Sequence, residues 1–198
     1  MLNLNPMKLP FGNLRSLYLK SRLPLYAGAA LVFLDQALKD WCFHNLRTHH
    51  QRPILGDSIP WGKSWLFLSH TANRGVAGSY FSAYPIEDID LYVRYIPTGL
   101  LMIIACICLT RLLTASKTER VAVGILLGGG FSNLWDHWHC DWVRDTLGLS
   151  LGGPQYLPFN LADVGIAFGA VLLCVFILRD LLYYREVGPT FFRADAAQ

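Results

Sequence analysis

Two aspartates sit where a carboxylate is costly. Asp145 closes the run Trp142-Val143-Arg144-Asp145, shortly after Asn133-Leu134-Trp135-Asp136-His137, and Asp163 closes Phe159-Asn160-Leu161-Ala162-Asp163. Both runs flank long apolar segments. An ionisable group at the edge of hydrocarbon points to chemistry before scaffolding. Two such acids, brought together, share one proton because two adjacent anions repel. The pair can then hydrolyse an amide without a covalent intermediate. One carboxylate takes a proton from water while its protonated partner hydrogen-bonds the carbonyl under attack. Asn73, Asn133 and Asn160 are neutral polar groups suited to holding a substrate backbone without adding charge. A structural reading competes for Asp163 taken alone. Asn160 is a natural N-cap, and an acid in the first helical turn complements the helix dipole.

The elements that position these acids follow from composition. The chain has 198 residues, 53% apolar and only 16% charged, against about a quarter charged in soluble domains. Mean hydropathy is +0.33. The apolar residues gather in four stretches, roughly 24–43, 92–110, 120–137 and 160–183, each close to the ~20 residues a helix needs to cross a bilayer. The expected fold class is an all-α membrane protein of four transmembrane helices with a small extracytoplasmic β element. Its parts are a basic leader at 1–23, a membrane domain at 24–184 and a tail at 185–198, polar and loosely ordered.

The 44–90 segment is rich in Pro, Gly, Ser and aromatics. Trp65-Leu66-Phe67-Leu68-Ser69-His70 reads as a short strand, and an interfacial segment is expected near Tyr80–Tyr84. Lys8, Arg15, Lys20 and Arg22 precede the first span without an acid, and Arg111, Lys117 and Arg120 crowd the second loop. By the positive-inside rule the N-terminus, that loop and the C-terminus are cytoplasmic, and 44–90 and 138–158 face outward. The apolar run through Leu34 favours a retained span over a cleaved leader. Asp35 and Lys39 share a face of the first span at i,i+4, and Lys39 is expected to snorkel to the outer surface. Close helix packing accounts for Gly124, Gly128, Gly129 and Gly130. A net charge of +3 is too mild to argue for nucleic acid. Cys42 and Cys140 both fall near the outer face, where a disulfide is possible.

These motifs, in this order, resemble signal peptidase II, the lipoprotein signal peptidase of bacteria. The resemblance runs from about Leu25 to Leu178. It takes in Asp35-Gln36-Ala37-Leu38-Lys39 and Asn73-Arg74-Gly75-Val76-Ala77, similar to the family's Asn-x-Gly-Ala-Ala-Phe. It continues through Gly129-Gly130-Phe131-Ser132-Asn133-Leu134-Trp135-Asp136, similar to Gly-Gly-x-x-Gly-Asn-x-x-Asp-Arg. Val143-Arg144-Asp145 is similar to Val-Val-Asp, and Phe159-Asn160-Leu161-Ala162-Asp163 to Phe-Asn-x-Ala-Asp. The resemblance implies catalytic aspartates at Asp145 and Asp163. Asn73, Asn133, Asp136, His137 and Asn160 are the candidate substrate-binding residues. It implies an aspartyl endopeptidase of the bacterial inner membrane that needs no cofactor or metal. Its partners are membrane lipids and a prolipoprotein already carrying diacylglycerol on its lipobox cysteine, and it cleaves just before that cysteine.

The chain departs from the family at four places. His137 stands in place of an arginine, Ser132 and Asp141 in place of glycines, and Gly78 in place of a phenylalanine. Ser132 is expected to crowd the backbone, and Asp141 to add negative charge near the pair. The alternative readings are a paralogue of narrowed specificity, or a silent one that binds lipoprotein or inhibitor. A third is a metal-binding membrane protein built on His137, His139, Cys140 and Asp141 with His44, His49, His50 and His70.

Overall fold

The structure is a computed structural model and describes residues 12–46, 52–55, 65–73, 95–111, 115–150 and 156–194. Four helices alternate with four strands: α1 (Gly12–Asn45), β1 (Arg52–Leu55), β2 (Leu66–Asn73), α2 (Ile96–Arg111), α3 (Lys117–Cys140), β3 (Val143–Ser150), β4 (Tyr156–Phe159) and α4 (Leu161–Ala194). Helix α3 is central, packing along both α1 and α4. It starts at a capping box, where Ser116 accepts from the Glu119 amide and Glu119 accepts from the Ser116 amide; two otherwise unpaired N–H groups are thereby satisfied. Helix approach is set by glycine. A Cβ on Gly128 would lie 2.6 Å from Gly28 Cα, and one on Gly129 would lie 2.6 Å from the Ala162 carbonyl oxygen.

The usual order of burial is inverted. Among the described residues six hydrophobic side chains are buried against ten polar or charged ones. Meanwhile Phe33, Met102, Ile103, Phe168, Val171 and Leu181 are exposed on the helix surfaces. In water that exterior would be an association hazard, whereas a lipid solvent matches it. Leu161–Tyr183 of α4 is apolar and long enough to span a bilayer by itself, with a mean hydropathy of 2.6. It is the one helix of that kind among the described residues, and α2 contains a shorter apolar stretch, Ile96–Cys108. Helices α1 and α3 have the length but carry the polar cluster described below.

Several expectations change. The sheet is larger than one short strand: β1, β2, β3 and β4 pair antiparallel in that order. All-α therefore understates the fold, which is mostly helical with a four-stranded sheet. Part of the basic leader, from Gly12, is already helix α1, and α4 runs on to Ala194 through most of the expected loose tail. Backbone pairing within a helix continues without regard to side-chain polarity, so composition misplaced both ends. Cys42 and Cys140 are free thiols. Asp141 has φ 68°, the left-handed C-cap that favours glycine; Asp tolerates this conformation better than most residues. It is exposed. The interfacial segment near Tyr80–Tyr84, and Gly78, lie outside the described residues.

Candidate active site

Strand β3 follows α3 directly and runs antiparallel to both β2 and β4. This topology delivers Asp145 to one end of α4. Asn73 pairs with Val143 across the β2–β3 ladder, so Asn73 and Asp145 are diagonal neighbours on one face. The Asn73 Nδ2 donates to Asp145 Oδ2 at 3.0 Å. Strand β4 ends at Phe159, opposite Leu147, and hands the chain to Asn160, the N-cap of α4. The caps are reciprocal. Asn160 Oδ1 accepts from the Asp163 amide at 2.9 Å, and Asp163 Oδ2 accepts from the Asn160 amide at 3.0 Å. The capping reading of Asp163 is therefore correct, and the cap leaves Asp163 Oδ1 for a further contact.

Asn160 joins the two acids. Its Nδ2 donates to Asp145 Oδ1 at 3.1 Å, while its backbone holds Asp163. The remaining oxygen, Asp163 Oδ1, accepts from Asn133 Nδ2 at 2.7 Å. All four carboxylate oxygens thus receive a hydrogen bond from a neutral amide. Both aspartates line one cavity of about 510 Å³ between α2, α3, α4 and the sheet, together with Asn73, Asn133 and His137. Its walls are otherwise mostly apolar, with Leu100, Leu134 and Ile166 among them. A larger hollow of about 1020 Å³ lies between α1, α2 and α3 and contains neither aspartate.

Burial, and after it the Asp163 charge, push the Asp145 carboxyl up to about 7, against the opposing hydrogen bonds from Asn73 and Asn160 and the positive charge of Lys39. The pair therefore retains a proton well above the ordinary carboxylate range, up to near-neutral pH, as expected for two acids in an apolar hollow.

Beneath the pair lies a buried ionic cluster that the sequence reading understated. Lys39, expected at the surface, is fully buried. Its Nζ sits 2.7 Å from Asp35 Oδ2, 3.0 Å from Asp136 Oδ2 and 3.0 Å from Asn133 Oδ1. Three acceptors use its three donor hydrogens, which is what permits an ammonium to stay inside. Asp136, expected as a substrate contact, is likewise fully buried here rather than in the cavity wall. It accepts from Arg144, Gln36 and Lys39. Ser132 does not crowd the backbone: its Oγ donates to Asp35 Oδ2 at 2.7 Å and accepts from Gln36 at 2.9 Å. Asp35 Oδ1 accepts the Ala162 amide at 2.9 Å, tying α1 to the first turn of α4. Gln36 and Arg144 were absent from the candidate residues. The spacing of Gln36 and Asp40, i,i+4 on α1, was the available signal.

Among the described residues no three His, Cys, Asp or Glu side chains converge on a metal position. The Nδ1 atoms of His44, His70 and His139 face the carbonyls of Asp40, Leu46 and Trp135. His49 and His50 lie outside the described residues.

The chain has close likenesses among known proteins. The family model for signal peptidase (SPase) II matches residues 28–179. The lipoprotein signal peptidase of Oleidesulfovibrio alaskensis is 30% identical over 157 residues, covering 78% of this chain and 94% of that one. The lipoprotein signal peptidase of Shigella boydii serotype 4 is 31% identical over 127 residues, covering 62% and 73%. A bacterial membrane enzyme solved by the in meso method at 2.3 Å resolution superposes with a TM-score of 0.63 at 19% identity, over 80% of this chain and 88% of that one. A second such structure, at 1.9 Å, gives a TM-score of 0.61 at 18% identity, over 79% and 93%. At these identities the two structures speak to fold alone.

Proposed function

The chain belongs to the signal peptidase II family, and from that premise we propose that it is a membrane aspartic endopeptidase that removes signal peptides from prolipoproteins, with Asp145 and Asp163 as the catalytic pair. The observation that carries the residue assignment is the Asn160 bridge. One side chain and its own backbone N–H hold both carboxylates in a shared apolar cavity.

Asp145 enters protonated, hydrogen-bonds the scissile carbonyl oxygen and transfers its proton to that oxygen as the attack proceeds. Asp163 takes a proton from water as the water oxygen attacks the carbonyl carbon. The resulting diol collapses when Asp163 returns its proton to the amide nitrogen, breaking the C–N bond, and Asp145 regains its proton from the diol. Neutral amides on every carboxylate oxygen orient the pair without fixing its charge, so Asn73, Asn133 and Asn160 act chiefly through the aspartates. His137 is 7% exposed and lines the same cavity, where it contacts substrate. Asp136 acts from beneath, through the ionic cluster.

The preferred substrate is the diacylglyceryl-modified precursor, cut before the modified cysteine. The apolar wall formed by α2 and α4 supports this: it lets a signal helix and acyl chains reach the pair from within lipid. Four spans with both termini cytoplasmic fit the basic residues that precede α1 and separate α2 from α3. The test is incubation of the protein in lipid with modified and unmodified precursor, read by mass spectrometry. The expected product begins at the lipidated cysteine and forms from the modified precursor. Binding of that precursor without any cleavage would instead establish the silent paralogue.

A further inference from the structure

Arg144 occupies the position before Asp145 on β3. Alternation along a strand sends the two side chains to opposite faces, and Arg144 enters the ionic cluster. Its backbone N–H donates to Asp136 Oδ2 at 3.0 Å, while its Nε and Nη2 donate to Asp136 Oδ1 at 3.3 and 2.9 Å. The rest of the fork reaches α1, with Nη2 donating to Gln36 and Nη1 to Asp40. From Asp136 the contacts continue through Lys39 and Asn133 to Asp163 Oδ1. A connected polar path therefore runs from the residue beside one aspartate to the carboxylate of the other.

Resting on the proteolytic reading above, we propose that Arg144 is a positioning residue: by clamping β3 to α1 and α3 it sets the separation of Asp145 from Asp163. The strand and helix that carry the acids are also joined by the β3–β4 ladder and by the Asn160 bridge. A guanidinium suits the task because its planar fork grips three side chains at once, whereas an ammonium is a point charge. Arg144→Lys keeps the charge and removes the fork, so it separates positioning from charge balance.

The experiment compares wild type with Arg144→Lys in single-turnover cleavage of the modified precursor across pH. Arg144→Lys is expected to lower the chemical rate roughly 10- to 100-fold, the scale of a small misplacement of reacting groups, with KM within a few-fold. It is also expected to move the alkaline limb to lower pH. The charged groups acting on Asp145 are Asp163 from α4 and Lys39 from α1, with neutral Asn73 and Asn160 beside it and His137 on the same cavity. Retreat of Asp163 weakens the repulsion that keeps Asp145 protonated, so its proton leaves earlier. Partial unfolding would lower the amplitude without moving the limb. Titration of the Asp145 carboxyl by 13C NMR, assigned with Asp145→Asn, reads the same shift without substrate. Coincident titrations of wild type and Arg144→Lys would overturn the proposal. Absence of wild-type cleavage would strike the proteolytic reading instead, leaving the titration to decide Arg144.

Discussion

At the scale of the residue, the site is defined by which groups are charged and which are neutral. Asn73 donates to Asp145 Oδ2 and favours its ionised form, against the burial that keeps the carboxyl protonated to about 7. The proposed mechanism needs that proton, so the rate is expected to fall as pH rises through about 7. Asn73→Leu removes a hydrogen bond to the charged form. The alkaline limb of its pH–rate profile is expected to move upward, opposite to Arg144→Lys. An unmoved limb would place Asn73 outside the titration. Lys39 bears on stability. Its ammonium is fully buried between Asp35 and Asp136, and removing one partner of a buried cluster leaves uncompensated charge costing about 3–5 kcal/mol. Lys39→Met is expected to lose that much in denaturant titration, and a loss below about 1 kcal/mol would contradict the closed network. The aspartates were legible in the sequence because carboxylates beside apolar runs are conspicuous. The burial of Lys39 was not, because a lone i,i+4 pair is equally consistent with snorkelling until α3 brings Asn133 and Asp136 against it.

At the scale of the element, α3 is the spine, and glycines set how closely its neighbours approach. A Cβ at Gly129 would sit 2.6 Å from the Ala162 carbonyl and 2.9 Å from the Ile166 side chain, in the first turns of the helix that begins with Asp163's cap. Backbone cannot yield as a flexible side chain does. Gly129→Ala is expected to push that turn outward, lowering cleavage at least tenfold by the same misplacement argument while the fold persists in circular dichroism. Wild-type rates in Gly129→Ala would show that the contact is slack. Helix existence was readable from apolar length, and β2 from its run of leucines and aromatics between turn-forming residues. Strands β3 and β4 were missed, although Asp145 rides on one of them. Their residues read as a connection between two spans until β2 offers a pairing edge, because strand formation here depends on a partner distant in sequence.

At the scale of the whole molecule, polar groups are inside and apolar ones outside, as a lipid solvent demands. By the positive-inside rule, the charge bias around α1 and between α2 and α3 predicts that the sheet faces the outer side. Alkaline phosphatase inserted between β3 and β4, within 151–155, is expected to be active, and the same enzyme fused after Ala194 inactive. The reverse pattern would invert the topology. The family was readable at this scale because its motifs occur in order, whereas the four-stranded sheet and the link from Arg144 to the pair required coordinates. The central claim is that Asp145 and Asp163 act as one unit, and single-turnover cleavage of the modified precursor by Asp145→Asn, Asp163→Asn and the double variant tests it most directly. Each single change should abolish at least about 10³-fold of the rate, and the double variant should be no slower than either, as for residues that work together. Cleavage within tenfold of wild type in either single variant, or losses that multiply in the double, would contradict the account.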